Sequence, residues 1–354
     1  MSHRRIALVA SLTLVVVVGA GVVIAHRRSS SWALAAGTTR YEMPASVVSC
    51  PTSTFCATAK NHTIATWANG TVRTHRFSLP SLNLLPGGAG DQTFPQMNTD
   101  YITSVSCASP QLCVAVTAGG YAIEFGRGHW GPVSRVTTGG LNELNVVTCA
   151  SNTFCLAGSS TDEAYVFDGR SWQWAGSPDP ANAGTNASAE ITAVACPQVG
   201  LCFVASALTD PMSGDYSGSV YRYANGAWSA SSSSVSYAIS ALACSDQYDC
   251  VAGTANGLYL TMFAGGWGDP FPVSMNNGSL DPARIIGATC AKAAGQCYLL
   301  NDNGAVYPTT GVSQTLHGTQ AFSDYGGGLD SELSCSPSGS CFAVDGSSLY
   351  EARP

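Results

Sequence analysis

A chain of 354 residues with a formal charge of -7, in which 15 Lys and Arg face 22 Asp and Glu, has no basic stripe to neutralise phosphates; nucleic acid and acidic lipid headgroups are excluded as principal partners. Only 10% of the residues are charged, against about 25% in ordinary soluble proteins, while 45% are apolar and 38 are Gly. That balance favours short strands and tight turns over amphipathic helices, and the length allows two or three domains unless one repeat fills the chain.

The first element in chain order is apolar. Residues 6–25 read IALVASLTLVVVVGAGVVIA with no charge, and at about 1.5 Å per residue such a run crosses a hydrocarbon core of about 30 Å as one helix. A cleaved secretory signal is the competing reading, since Arg4-Arg5 make a basic start and Ala33-Leu34-Ala35-Ala36 resembles a cleavage site. The length of the run, and His26-Arg27-Arg28 between it and that site, favour an uncleaved signal-anchor over residues 1–28, contacting the bilayer through residues 6–25. Arg4-Arg5 and Arg27-Arg28 balance each other, so the flanks do not set its orientation.

The cysteines do. All 14 fall into close pairs: Cys50/Cys56, Cys107/Cys113, Cys149/Cys155, Cys196/Cys202, Cys244/Cys250, Cys290/Cys297 and Cys335/Cys341. Six pairs are C-x5-C and the Cys290 pair is C-x6-C. Zinc sites favour shorter spacings completed by a second pair or by His, and none of the six His keeps a fixed offset from the cysteines. Seven local disulfides in an oxidising compartment is the better reading, which puts residues 29–354 outside the cytoplasm. The expected location is a single-pass cell-membrane protein facing outward, or a secreted one if the segment is cleaved.

Alignment on the first cysteine of each pair exposes a repeated unit. VVSC, SVSC, VVTC, AVAC, ALAC, GATC and ELSC precede it, an apolar run such as Cys113-Val114-Ala115-Val116 follows the second cysteine, and then comes an aromatic alternating segment such as Val220-Tyr221-Arg222-Tyr223. Several units continue with a Gly turn ending in Trp, as at Trp130, Trp172, Trp228 and Trp267. Four short strands recurring every 42 to 57 residues match a propeller blade, and no stretch after Ala25 keeps a 3.6-residue period. The expected fold is therefore all-β: a seven-bladed β-propeller with one hairpin disulfide per blade and innermost strands of small side chains suited to a crowded axis. The seventh unit ends after its third strand, and residues 31–36, with Trp32 in the place of Trp172 or Trp228, are expected to supply the fourth and close the ring.

The S-C-x5-C-x-A-V pattern followed by an aromatic strand and G-x-W resembles cysteine-stapled propeller repeats of secreted actinobacterial proteins, over about residues 45–354. Asp168-Gly169-Arg170-Ser171-Trp172 is distantly similar to the Asp-box turn of sialidase-type propellers, a folding element that does not imply sialidase activity.

In a propeller, the loops from second to third strand and from fourth strand to the next blade share one face. Here the length variation falls on that face, in residues 80–101, 177–190, 208–219 and 318–330, while the disulfide hairpins share the other. Variable loops on a rigid scaffold are where binding resides. The candidate contacts are Asp91, Phe94, Tyr101, Asp210, Asp215, Tyr216, Asp324 and Tyr325, with Asp100, Asp179 and Asp330 beside them. Asp210 to Asp215 and Asn301-Asp302-Asn303-Gly304 lack the register of a calcium loop and read as Asx turns, so no metal or cofactor is expected. Enzyme readings are weak: the inner strands offer Glu332, with Arg284 nearby, and no second carboxylate or Arg cluster. No G-x-S-x-G elbow occurs. The leading expectation is a non-catalytic, monomeric scaffold presenting its loop face to a protein, peptide or glycan. The alternatives are a propeller hydrolase or lyase and a structural component of an envelope assembly.

Overall fold

The computed structural model describes residues 15–18, 21–24, 40–78, 100–137, 143–179, 188–209, 216–232, 234–275, 280, 282–291, 295–309, 316–320 and 331–352. Every regular element among them is a β-strand.

Residues 40–352 form the seven blades. Blade 1 shows the pattern: Val47–Thr52, Phe55–Lys60, Thr63–Ala68 and Thr71–Arg76 pair in order as an antiparallel sheet. The corresponding innermost strands of blades 2 to 7 are Ile102–Ser109, Leu144–Ser151, Ser188–Gln198, Ile239–Cys244, Ile285–Ala291 and Ser331–Cys335. Burial falls from the axis outward. Phe55–Lys60 is buried along nearly all its length, whereas Thr71–Arg76 is almost wholly exposed. The continuous apolar run after each second cysteine follows from this, because a second strand has neighbouring blades on both faces.

The core is divided in the same way, with a buried apolar cluster at each blade–blade interface. Between blades 1 and 2 it contains Phe55, Ile64, Ile102, Phe125 and Trp130, and between blades 7 and 1 it contains Met43, Val48, Trp67, Phe342 and Leu349. The G-x-W tryptophans stack on the aromatic end of their own third strands, Trp130 on Phe125 and Trp228 on Tyr223 at 5.2 and 4.9 Å between ring centroids. In blades 1, 2, 4 and 5 the turn leading into the fourth strand has two successive residues at positive φ: Asn69-Gly70, Arg127-Gly128, Asn225-Gly226 and Ala264-Gly265. These are the mirror-image turns that match the twist of a two-residue hairpin.

All seven expected disulfides are present, one per blade: Cys50–Cys56, Cys107–Cys113, Cys149–Cys155, Cys196–Cys202, Cys244–Cys250, Cys290–Cys297 and Cys335–Cys341, with Cα atoms 3.9 to 4.1 Å apart. Each joins the end of a first strand to the start of a second, as expected. Cys56, Cys113, Cys155, Cys202 and Cys341 are fully buried, because each lies at the start of a second strand covered by blades on both sides. Cys56 belongs to the core between blades 7 and 1, Cys155 to that between blades 2 and 3, and Cys202 to that between blades 3 and 4. These second-strand cysteines therefore anchor the bridges inside the blade interfaces.

The ring closes through the N-terminal side of the chain. Arg40–Ala45 runs antiparallel to the second half of the long Cys341–Ala352 run, whose first half pairs with Ser331–Cys335. Residues 31–36, expected in that place, lie outside the described residues; the strand seen there begins downstream, with Tyr41 stacked on Trp67. Blades 5 and 6 are also joined at the rim, where Phe271–Met275 and Leu316–Gln320 pair in parallel.

The N-terminal segment is a separate unit. The expected membrane-spanning helix over residues 6–25 is not shown: Val15–Val18 and Gly21–Ile24 pair as an antiparallel hairpin, and no helix among the described residues is long and apolar enough to cross a membrane. β-Branched valines restrict χ1 and favour extended backbone, which accounts for the hairpin over this run.

Candidate functional site

The site is built from the innermost strands. In blades 2 to 6 the ladder between first and second strands is interrupted at one equivalent place, just before Ser104, Val146, Ala193, Ala241 and Gly287. A bulge places an extra residue there and re-aims its side chain. The extra residue is Thr103, Asn145, Thr192 or Ser240 in blades 2 to 5, and each donates a hydrogen bond to a first-strand carbonyl of the next blade: Leu144, Ile191, Ile239 and Ile285 respectively. A second set lies next to the cysteines. Ser49, Ser106, Thr289 and Ser334 accept the N–H of the next blade's first cysteine, Cys107, Cys149, Cys335 and Cys50, each at 2.9 Å. Together these bonds cross all seven interfaces and link the inner strands into a closed polar ring.

The ring encloses a central channel of about 410 Å³, lined by first-strand residues of every blade. Among the described residues its lining contains a single ionisable side chain, Glu332 of blade 7. One carboxyl oxygen of Glu332 accepts the Val48 N–H across the closing seam, in the place that the Ser104 hydroxyl takes opposite Val147. Enclosure by protein pushes its pKa from the ordinary 4.5 up to about 8, against the smaller opposing effect of that bond. The part of its surface that remains accessible faces the channel.

First strands run from the loop face toward the disulfide hairpins, so the residues that begin them surround the channel's loop-face mouth. Tyr101, Glu143, Glu190 and Arg284 stand there, all exposed. Glu143 is shifted upward, first by partial burial and then by the charges of Asp100 and Glu190. Asp100 is a buried pin: it accepts hydrogen bonds from the Thr117 hydroxyl and the Gly119 N–H, and burial raises its pKa. Asp162 does the same in blade 3, accepting from Ser177 and Ser206, and burial raises it too. The Tyr221 hydroxyl donates to Asp179 at 2.6 Å.

Tyr101 and Tyr216 are 47% and 54% exposed at the loop-face ends of their blades, joined by Tyr237 at 44%. Asp100 and Asp179 are turned to structural partners instead. Asp91, Phe94, Asp210, Asp215, Asp324, Tyr325 and Asp330 lie outside the described residues. Asn301 is a buried Asx turn that accepts the Asn303 and Ala305 N–H groups, as its sequence implied. Among the described residues no group of three His, Cys, Asp or Glu is placed to hold a metal ion. Sequence reading missed Glu143 and Glu190, whose signal was their shared position six residues before the first cysteine, the position also of Tyr101 and Arg284.

No protein-family model and no curated protein matches the sequence. Solved structures do match. "YCF48 bound to D1 peptide" is similar at a TM-score of 0.54 and 12% identity, over 90% of this chain and 97% of that one. A chain of "Crystal Structure of Mitotic Checkpoint Complex" is similar at 0.60 and 11%, over 89% and 91%. The WD40 β-propeller domain of Doa1 is similar at 0.57 and 9%, over 90% and 97%. The fold is a β-propeller. At these identities the likeness extends to architecture alone, and the cysteine-stapled and Asp-box resemblances gain nothing from it.

Proposed function

We propose that this propeller is a membrane-anchored, extracytoplasmic binding scaffold that receives a protein or peptide on its loop face. The observation that carries this is the make-up of that face: half-exposed Tyr101, Tyr216 and Tyr237 lie at its strand ends, and exposed Glu143 and Glu190 begin or adjoin the inner strands that line the channel. Tyrosines with an apolar body and a polar tip are enriched in protein-binding surfaces. YCF48, one of the structurally similar proteins, is bound to a peptide, and this agrees with the reading. Seven disulfides support an oxidising compartment, and the uncharged run of residues 6–25 supports an anchor.

Panning a random peptide library against the full-length protein in mild detergent tests the binding claim. Enriched peptides are expected to lose binding to the Tyr101→Ala/Tyr216→Ala variant and to keep it with Tyr248→Ala/Phe263→Ala, which alters exposed aromatics at the disulfide end. Loss in the second variant only, or no enrichment at all, overturns the reading. Resistance of the protein to alkaline extraction from membranes checks the anchor, and release into the supernatant contradicts it.

A further inference from the structure

We infer that the central channel is a receptor for one lysine side chain of the bound partner, whose ammonium passes Glu143 and Glu190 at the loop-face mouth and pairs with Glu332 inside. The inference rests on the scaffold reading above and names the partner's chemistry at that site.

The geometry supplies two independent reasons. The first is the channel. At about 410 Å³ it is large against the roughly 10–15 Å³ that admits one water, and its walls are hydroxyls, backbone and small apolar groups contributed by all seven blades. Only one carboxyl oxygen of Glu332 is used, by the Val48 N–H, and no described protein donor meets the other. A carboxyl held in such an enclosure favours its neutral form until a cation reaches it, and its raised pKa reflects burial without any charged neighbour. The flanking strands face it with Val47, Val48, Leu333 and the residues from Ile286 to Cys290, none of which titrates.

The second reason is the mouth. Glu143 is raised first by partial burial and then by the nearby charges of Asp100 and Glu190, so negative charge is gathered on this side of the mouth. Arg284 is the basic side chain among the described residues that begin the inner strands, and it stands in blade 6, away from blades 2 to 4 that carry the acids. A cation approaching over blades 2 to 4 relieves that repulsion and is guided to the opening.

The donor set selects lysine among cations. Calcium takes six or more oxygen ligands, usually with several carboxylates, and the channel offers one. A guanidinium is a flat fork of five donors that calls for bidentate acceptors. An ammonium has three donors on a slender stem, which one carboxyl oxygen and the wall hydroxyls can meet.

The test is calorimetric titration of the full-length protein in detergent with n-butylammonium chloride, and then with acetyl-Gly-Lys-Gly-amide against its norleucine counterpart. Expected are saturable binding at one site, release of a proton near neutral pH, and preference for the lysine peptide. Glu332→Gln keeps an acceptor for the Val48 N–H, and should weaken binding at least about tenfold. The exposed rim variant Glu143→Gln/Glu190→Gln, which leaves the ring untouched, should weaken it about two- to fivefold. Equal binding to wild type and Glu332→Gln, equal binding of the norleucine peptide, or displacement of the amine by calcium overturns the inference. Should library peptides bind through Tyr101 and Tyr216 irrespective of Glu332, the scaffold reading stands and the lysine receptor falls. Should the amine bind through Glu332 while no library peptide depends on Tyr101 and Tyr216, the channel site stands and the scaffold reading falls.

Discussion

The two ends of the ring treat their charged groups in opposite ways. At the disulfide end Asp168 accepts the N–H groups of Arg170 and Ser171, which hold its carboxyl below the ordinary range, and Asp246 accepts those of Tyr248 and Asp249. At the loop end and in the channel, burial raises Asp100, Glu143, Asp162 and Glu332. Asp345 is the exception there, since Tyr350, Ser347 and Arg40 outweigh its burial. One end is satisfied by its own backbone and is complete. The other holds acids where burial disfavours ionisation, Asp100 and Asp162 as hydrogen-bonded pins and Glu332 in the channel wall.

The largest way to break this comparison is reduction of the disulfides. A loop of this size contributes about 2 kcal/mol per bridge in the chain-entropy account, and seven of them are comparable with the whole stability of a domain, about 5–15 kcal/mol. Full reduction is expected to unfold the ring without altering any residue of the loop face, as followed by loss of cooperative thermal unfolding. A reduced protein with an unchanged melting temperature would show that the disulfide end does not carry the scaffold.

Glu332 gives the next largest effect. Its folded pKa is raised from 4.5 to about 8, so the folded state keeps a proton that the unfolded chain releases. The stability contributed by that proton is present below about 4.5 and is lost as pH rises toward about 8, up to a few kcal/mol. Denaturation midpoints should fall over that window in the wild type and stay flatter in Glu332→Gln, with the variant the more stable at the alkaline end. Parallel profiles for the two proteins contradict the assignment.

Two smaller effects sharpen the contrast further. A Cβ on Gly158, in the second strand of blade 3, would lie 2.3 Å from Cγ2 of Ile191 at the start of blade 4. Gly158→Ala should cost about 1–3 kcal/mol in denaturant titrations by pushing two blades apart near the loop end. At the disulfide end Ala264 holds φ at 51° in a two-residue turn. Ala264→Asn, which tolerates that conformation, should stabilise by up to about 1 kcal/mol and leave ligand binding unchanged.

Much of this architecture is legible in the sequence because it repeats locally. Each close cysteine pair marks a hairpin, and the G-x-W at Trp130 and at Trp228 marks a turn with positive φ followed by a tryptophan over its own third strand. What was not legible depends on neighbours distant in the chain. Thr103, Thr192 and Ser240 are of the small types suited to a crowded axis, yet their bulges, and that of Asn145, turn them into donors to the next blade. The spacing of Cys56, Cys155 and Cys202 from their partners announces the bridges, but only the adjoining blades bury them. Residues 31–36 lie outside the described residues, and in the closing strand that is described, Arg40–Ala45, Tyr41 meets Trp67 of blade 1, a contact between residues of two blades that no local motif announces. Asp100 read as a loop contact, and only its hydrogen bonds to residues of the following hairpin reveal a pin.

The most direct measurement places photo-reactive side chains at Tyr101 and Tyr216 on the loop face, and separately at Tyr248 and Phe263 on the disulfide face, in the protein in its native membrane. The account predicts discrete cross-linked adducts from the first pair and none from the second. Adducts confined to Tyr248 and Phe263 would contradict it.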